Sequence, residues 1–248
     1  MGGYGVLGII RGFAPAVDGK ILPQQPFWNG APQFSKGVPL LIGSTRTEMT
    51  ETTLSEDPAA TSMGWPAIEK KLEGLFGARA KTILAQFRAH HPQGSPWEVY
   101  SLILSDWPTR MFSIRIAEEQ AKLRGAPVYM YRTDWQTPVR NGLLMSPHAI
   151  DIAFVLNTVD ANADSNGGGA GAHAMARQMS EAWVTFARTG SPQTATLPKW
   201  PAYGAESRAT MLFNLDSRVA LDPDGEDRQT LQDRMHSFRI VGRRGETL

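Results

Sequence analysis

The sequence predicts an α/β fold with a parallel sheet, and three observations carry that prediction. Val38–Gly43 (VPLLIG) is a short, continuously apolar run, the pattern of a strand covered on both faces. Ala126–Trp135 (APVYMYRTDW) is a second strand, rich in aromatic and β-branched residues. Long stretches with apolar residues at helical spacing separate these strands, as helices do in a parallel sheet.

The elements follow in chain order. Residues 13–34 hold prolines at 15, 23, 26 and 32 and glycines at 19 and 30, which predicts an extended surface segment with turns. After the first strand, Pro66 suits a first helical position, and Ile68, Leu72 and Leu75/Phe76 recur on one face. Gly77 interrupts, and Ala80, Ile83/Leu84 and Phe87 continue the pattern to His90-His91-Pro92. A further helix is expected over Thr109–Arg124, with Phe112, Ile116 and Leu123 inward and Gly125 as its stop. Residues 164–173 (DSNGGGAGAH) read as a flexible loop. It leads into a helix over Ala174–Arg188 with Met179, Trp183 and Phe186 inward. Thr210–Leu215 is a third short strand and Glu226–Phe238 a closing helix. Three or four strands are few for 248 residues, and the count fits a sheet that lacks its beginning.

Composition narrows the function. A net charge of +1 gives no electrostatic reason to expect nucleic acid or an anionic membrane as partner. No apolar run approaches the ~20 residues of a membrane span. MGGYGVLGIIRG lacks a basic start and a cleavage site, so no signal peptide is expected there. With no cysteine, there is no thiol nucleophile, disulfide or cysteine-based zinc site.

Two loops carry the candidate chemistry. Glu48 lies in the polar segment that follows the first strand. His148 precedes the apolar stretch Ile150–Leu156, which reads as a further strand. An acid followed by a histidine matches the last two members of a Ser…Asp/Glu…His triad. No G-x-S-x-G occurs in the chain, so the nucleophile elbow is missing. Ser44 and Ser146 lie close to these residues, but neither sits on the strained strand-turn-helix elbow that presents a nucleophile. Asp151 either supports the histidine or bonds nearby backbone amides. His90-His91 is no metal site, since adjacent helical side chains diverge and no third ligand is spaced nearby. GGGAGA has neither a preceding strand nor a following G-K-[ST], which excludes a phosphate loop. Trp65, Trp97 and Trp107 read as core residues.

Several of these segments, taken together, resemble the type B carboxylesterases, the cholinesterase-like branch of the α/β-hydrolases. FAPAVDGKILPQQP resembles the family's F-x-P-V-x-D-G…L-P…P segment, with Ala16 where valine is usual. VPLLIGSTRTE resembles the strand and loop that deliver the triad acid, which maps onto Glu48. GAPVYMYRTDW resembles the next strand. SPHAIDIAFVL resembles the loop H-G-x-E/D-(I/L)-x-(F/Y)-V, with His148 as triad histidine, Ala149 in place of glycine and Asp151 at the acidic position. WVTFARTGSPQ…LPKWPAY…TMLFN resembles the closing segment.

The likeness runs from about Phe13 to about Arg228. It implies that residues 1–248 are the C-terminal half of a single α/β-hydrolase domain, a mostly parallel sheet with helices on its faces. The implied reaction is hydrolysis of a small-molecule carboxylic ester through an acyl-serine, with Glu48 and His148 catalytic and no metal or organic cofactor. In the family the nucleophile elbow and oxyanion-hole glycines precede this region. The chain alone is therefore expected to be inert, and to self-associate or bind a complementing N-terminal half. The rivals are a subunit of a split esterase and a non-catalytic binding module of the same fold.

Overall fold

A computed structural model describes residues 17–23, 27 and 30–232. Its framework is a four-stranded sheet of β1 (Leu40–Thr45), β2 (Val128–Thr133), β3 (Ala209–Phe213) and β4 (Arg218–Leu221), adjacent in that order. The pairs β1–β2 and β2–β3 are parallel, and β4 closes an antiparallel hairpin on β3. Between β1 and β2 run helices α1 (Thr50–Glu56), α2 (Trp65–Phe76), α3 (Ala80–His90), α4 (Pro96–Ser105) and α5 (Met111–Lys122). Between β2 and β3 lie α6 (Ile150–Val155), α7 (Ala163–Asn166) and α8 (Gly169–Thr189), and α9 (Gly225–Leu231) follows β4.

Alternation along the strands builds two cores, because successive side chains point to opposite faces. Leu40, Ile42, Val128 and Met130 join Ile68, Phe76, Phe87, Ile103 and Ile114 from α2–α5 on one face. Leu41, Tyr129, Tyr131, Met211 and Phe213 meet Phe154, Met175 and Met179 from α6 and α8 on the other. The α/β class and the covering of both faces are borne out. Residues Leu40–Gly43 are nevertheless only half-buried, since β1 pairs on one side alone among the described residues. Gly43 is required there: a Cβ would meet the Tyr131 carbonyl oxygen at 2.2 Å and its ring at 2.5 Å.

Several expectations need correction. The stretch after His148 is the helix α6, not a strand, with Ile150, Ala153 and Phe154 buried at helical spacing. Residues 164–173 are not a flexible loop: α7 occupies 163–166 and α8 begins at Gly169, its buried face being Ala172, Met175, Ala176, Met179 and Ala182. Trp183 and Phe186 pack only at its margin. On α5 the buried face is Met111, Ser113, Ile114, Ala117 and Gln120, while Phe112, Ile116 and Leu123 are half-buried. Close approach to β1 is the reason, since the Ser113 hydroxyl reaches the Gly43 carbonyl at 3.2 Å and only small residues allow that. The closing helix is described over Gly225–Leu231; residues 233–238 lie outside the described residues.

The expected helix starts at Thr109, directly after Pro108, a residue that breaks α-helical bonding. Instead α4 runs through a π-helical turn, Asp106–Arg110, directly into α5. The turn buries Asp106 and Arg110, which bond each other at 2.6 Å. Trp97 and Trp107 lie in the first core as expected, whereas Trp65 is half-buried beneath the Arg88 guanidinium, 4.2 Å away.

Candidate active site

The C-terminal ends of β1 and β2 bring the site together. Beyond the last paired residues, Thr45 and Thr133, the Arg46 amide continues the ladder to the Thr133 carbonyl at 3.0 Å. The chain then turns so that Glu48 Oε1 accepts the Thr45 amide at 2.7 Å. Met49, the next residue, donates its amide to Ser105 Oγ on α4 at 3.1 Å. Glu48 is thereby fixed on both sides and is only 6% exposed.

A second loop is fastened to the first. The Thr47 amide donates to the Ser146 carbonyl at 3.1 Å, and the Ser146 amide donates to Thr47 Oγ1 at 2.8 Å. Thr50 Oγ1 donates to the Leu144 carbonyl at 2.7 Å, and Ser146 Oγ donates to the Thr133 carbonyl at 2.7 Å. Thr47, Thr50 and Ser146 are buried, where an unmade hydrogen bond is expensive. The loop ends with Ala149 in the left-handed region (φ 62°, ψ 5°), directly before α6.

These contacts place His148 Nδ1 2.6 Å from Glu48 Oε2. The imidazole side chain is 73% exposed, so Nε2 has access to solvent while Nδ1 is occupied by the buried carboxylate. The Glu48 hydrogen bond raises the His148 pKa above the ordinary imidazole value. Desolvation opposes this, and the negative charges of Glu48, Asp151 and Glu51 reinforce it. Such a pair holds one tautomer, stabilises an imidazolium and leaves Nε2 to take or give a proton.

Asp151 accepts the Tyr131 hydroxyl at 2.9 Å, and burial raises its pKa. It ties the first turn of α6 to β2 and so supports the helix that follows His148. Ser44 and Ser146 are both buried. Ser146 Oγ is committed to Thr133, and Ser44 lines a small cavity with Arg110, Arg132 and Tyr203. His90 and His91 do converge, contrary to expectation, but on a carboxylate (Asp227). Among the described residues no cluster of His, Asp and Glu could hold a metal ion, and no helix is long and apolar enough to cross a membrane.

The supporting residues Thr47, Thr50, Tyr131 and Ser105 were not singled out from the sequence. The polar, β-branched run TRTEMT was the available signal, because such residues between two apolar segments have hydroxyls to spend on a neighbouring loop.

Behind the Glu48 loop lies a lattice of ion pairs, buried at Arg132, Asp134 and Arg110 and half-buried at Arg46 and Asp224. Arg132 holds Asp134 through two bonds, at 2.6 and 2.9 Å, and Asp224 through a third at 2.5 Å. Arg110 donates to the carbonyls of Pro223 and Asp224. Arg46 reaches Asp134 and Asp224, each at 3.8 Å. Burial raises the Asp224 pKa, but Arg132, Arg46 and Arg110 outweigh it and hold the value at about 2. The lattice ties the segment before α9 to the strand end that presents Glu48.

The comparisons with known proteins agree with this architecture. The chain is 30% identical over 225 residues to para-nitrobenzyl esterase of Bacillus subtilis, covering 88% of this chain and 43% of that protein. It is 29% identical to phenmedipham hydrolase of Pseudarthrobacter oxydans, covering 88% and 44%. A crystal structure of a carboxylesterase from Geobacillus stearothermophilus superposes with a TM-score of 0.72 at 31% identity, over 91% of this chain and 47% of that one. The fold is thus that of the α/β-hydrolases, and the chain spans a little under half the length of these relatives. Residues 7–231 match the model of the carboxylesterase family, and the chain belongs to that family.

Proposed function

We propose that this chain supplies the acid and the base of a Ser-Glu-His triad for carboxylic ester hydrolysis. Residues 1–248 then form the C-terminal half of one α/β-hydrolase domain, and the serine comes from the part of the relatives' length that this chain does not span. The observation that carries the reading is the 2.6 Å bond from His148 Nδ1 to the buried Glu48 carboxylate, with Nε2 exposed.

The serine hydroxyl attacks the ester carbonyl while His148 Nε2 takes its proton. The imidazolium, stabilised by Glu48, returns that proton to the leaving alcohol. Water then attacks the acyl-serine by the same route, releasing the acid. His148 and Glu48 would supply proton transfer, and the oxyanion-hole donors would come with the serine. Two observations favour a complementing segment over a non-catalytic module: β1 has an unpaired edge among the described residues, and the Glu48–His148 pair is intact.

The test combines this chain with a related segment that carries the nucleophile elbow, using a p-nitrophenyl ester. The chain alone should not exceed a free-imidazole baseline, the combination should, and His148→Ala in the combination should remove the gain. An organophosphonate should label a serine of the added segment. A label on any serine of this chain, or activity indifferent to His148, would overturn the proposal.

A further inference from the structure

A second carboxylate–histidine cluster joins α3 to α9 and plays no part in the proposed triad. Asp227, in the first turn of α9, is buried. It receives His90 Nδ1 on Oδ1 at 2.7 Å and His91 Nε2 on Oδ2 at 2.6 Å. Adjacent side chains of a regular helix diverge, but His90 is the last residue of α3 and His91 has left helical geometry (φ −121°, ψ 65°). The Phe87 ring lies beside both imidazoles, with centroids 6.4 and 6.2 Å away.

We propose that His90, His91 and Asp227 form a proton-operated clasp, which tightens α9 against α3 in mild acid and relaxes it as the solution turns alkaline. A neutral imidazole gives the carboxylate one hydrogen bond, whereas an imidazolium adds a countercharge that a buried carboxylate otherwise lacks. The π-helical turn packed on α9 brings a second buried carboxylate, Asp106, which feels the charge of Asp227 and whose partner is Arg110, so the histidines face a locally acidic cluster. Glu226 Oε2 stands 3.7 Å from His90 Nε2. Around His91, Asp224 favours protonation while Arg46 opposes it, and Arg88 shares the groove that His91 lines.

The balance at His91 follows from its contacts. Its hydrogen bond to Asp227 raises its pKa, with desolvation opposing. A folded-state value raised above the ordinary 6.5 contributes stability that is complete below 6.5 and lost as pH rises through the folded value. Two further attachments of α9 do not depend on histidine: Arg228 grips Asp222 at 2.7 and 2.9 Å, and the Arg79 guanidinium donates to the Thr230 carbonyl at 3.3 Å. Loss of the clasp therefore loosens α9 without unfolding the chain.

The experiment follows histidine titration by NMR and amide-exchange protection of α9 in the whole chain, corrected for intrinsic exchange, between about pH 6 and about pH 8. In the wild type, His91 should titrate above 6.5 and α9 should be severalfold better protected at the acidic end. Asp227→Asn should return His91 to its ordinary value. His91→Gln keeps a donor without a titrating group, so protection should become nearly flat with pH; this variant decides the matter if Asp227→Asn fails to fold. His91 titrating at or below 6.5, or His91→Gln keeping the wild-type pH dependence, would overturn the clasp. Neither outcome bears on the triad, which uses other residues.

Discussion

Glu48 and His148 stand one hundred residues apart in the chain and 2.6 Å apart in space, the first buried and the second largely exposed. The asymmetry matters, because a fixed, desolvated carboxylate orients a ring whose other nitrogen remains free. Replacing Glu48 with Gln keeps the shape and removes the charge. His148 should then titrate near 6.5 instead of above it, as read by NMR of its ring. The folded value in the wild type is the raised one, so the pair's contribution is complete below 6.5 and fades as pH rises through that value. Because the ring is exposed, that contribution should not exceed about 1 kcal/mol.

Thr47→Val tests the seam between the two loops. It leaves the buried Ser146 amide without its acceptor at 2.8 Å. A cost of about 1–3 kcal/mol is expected in urea unfolding. The His148 titration should shift toward its ordinary value in the same variant, since the ring is carried by the loop that Thr47 holds.

Ala149→Gly should not disturb the site and should stabilise it slightly. Ala149 sits at φ 62°, where its Cβ is strained. Relief of about 1–2 kcal/mol is partly offset by the unfolded-state entropy of glycine, leaving a net gain of up to about 1 kcal/mol. Denaturation midpoints decide this, and a loss of stability would show that the alanine conformation is not strained.

Arg132→Leu removes the centre of the ion-pair lattice and leaves Asp134 and Asp224 short of countercharge. Breaking one side of a buried pair costs about 3–5 kcal/mol. Asp224 should lose the largest of the positive charges that hold its pKa at about 2 and titrate at higher pH, with Arg46 and Arg110 still beside it. Thermal unfolding at neutral pH should show the loss, and acid should narrow the difference as the carboxylates protonate.

The open side of β1 predicts self-association. Its backbone groups pair with β2 alone among the described residues, and an unpaired strand edge is a template for another chain. Ile152 on α6 and Leu156, its C-cap residue, add apolar surface at 54% and 64% exposure. Sedimentation should find oligomers that dissolve when a complementing segment is supplied. A monomer at high micromolar concentration would show that this edge is already protected.

The sequence made β1, β2, β3 and most of the long helices legible because continuous apolar runs and helical spacing reflect burial directly, whereas β4, exposed at both ends, carries no such run. The acid and histidine were readable because their flanking strand and loop patterns are specific. The start of α4 was also written in the sequence: Ser95 accepts the Glu98 amide and Glu98 caps the Ser95 amide, with Pro96 in the first turn. That capping box lay unused because Pro96 reads equally as a loop residue. Other features had no local signal. The buried side of α5 depends on how closely it approaches Gly43. The short α6 carries an apolar run that a strand would also carry. The convergence of His90 and His91 depends on Asp227, 136 residues further on.

Gly43 has a bearing on the evolution of the site. The Tyr131 ring occupies the space a side chain at 43 would need, and its hydroxyl holds Asp151 on the helix after His148. Any larger residue at 43 meets both that ring and, at 2.2 Å, the Tyr131 carbonyl oxygen, which no side-chain change at 131 removes. Glycine at 43 is therefore required whatever side chain stands at 131, whereas 131 and 151 depend on each other through their hydrogen bond. In a set of related sequences, glycine should persist at 43 while 131 and 151 change as a pair, a covariation linking the central strand to the helix behind the base.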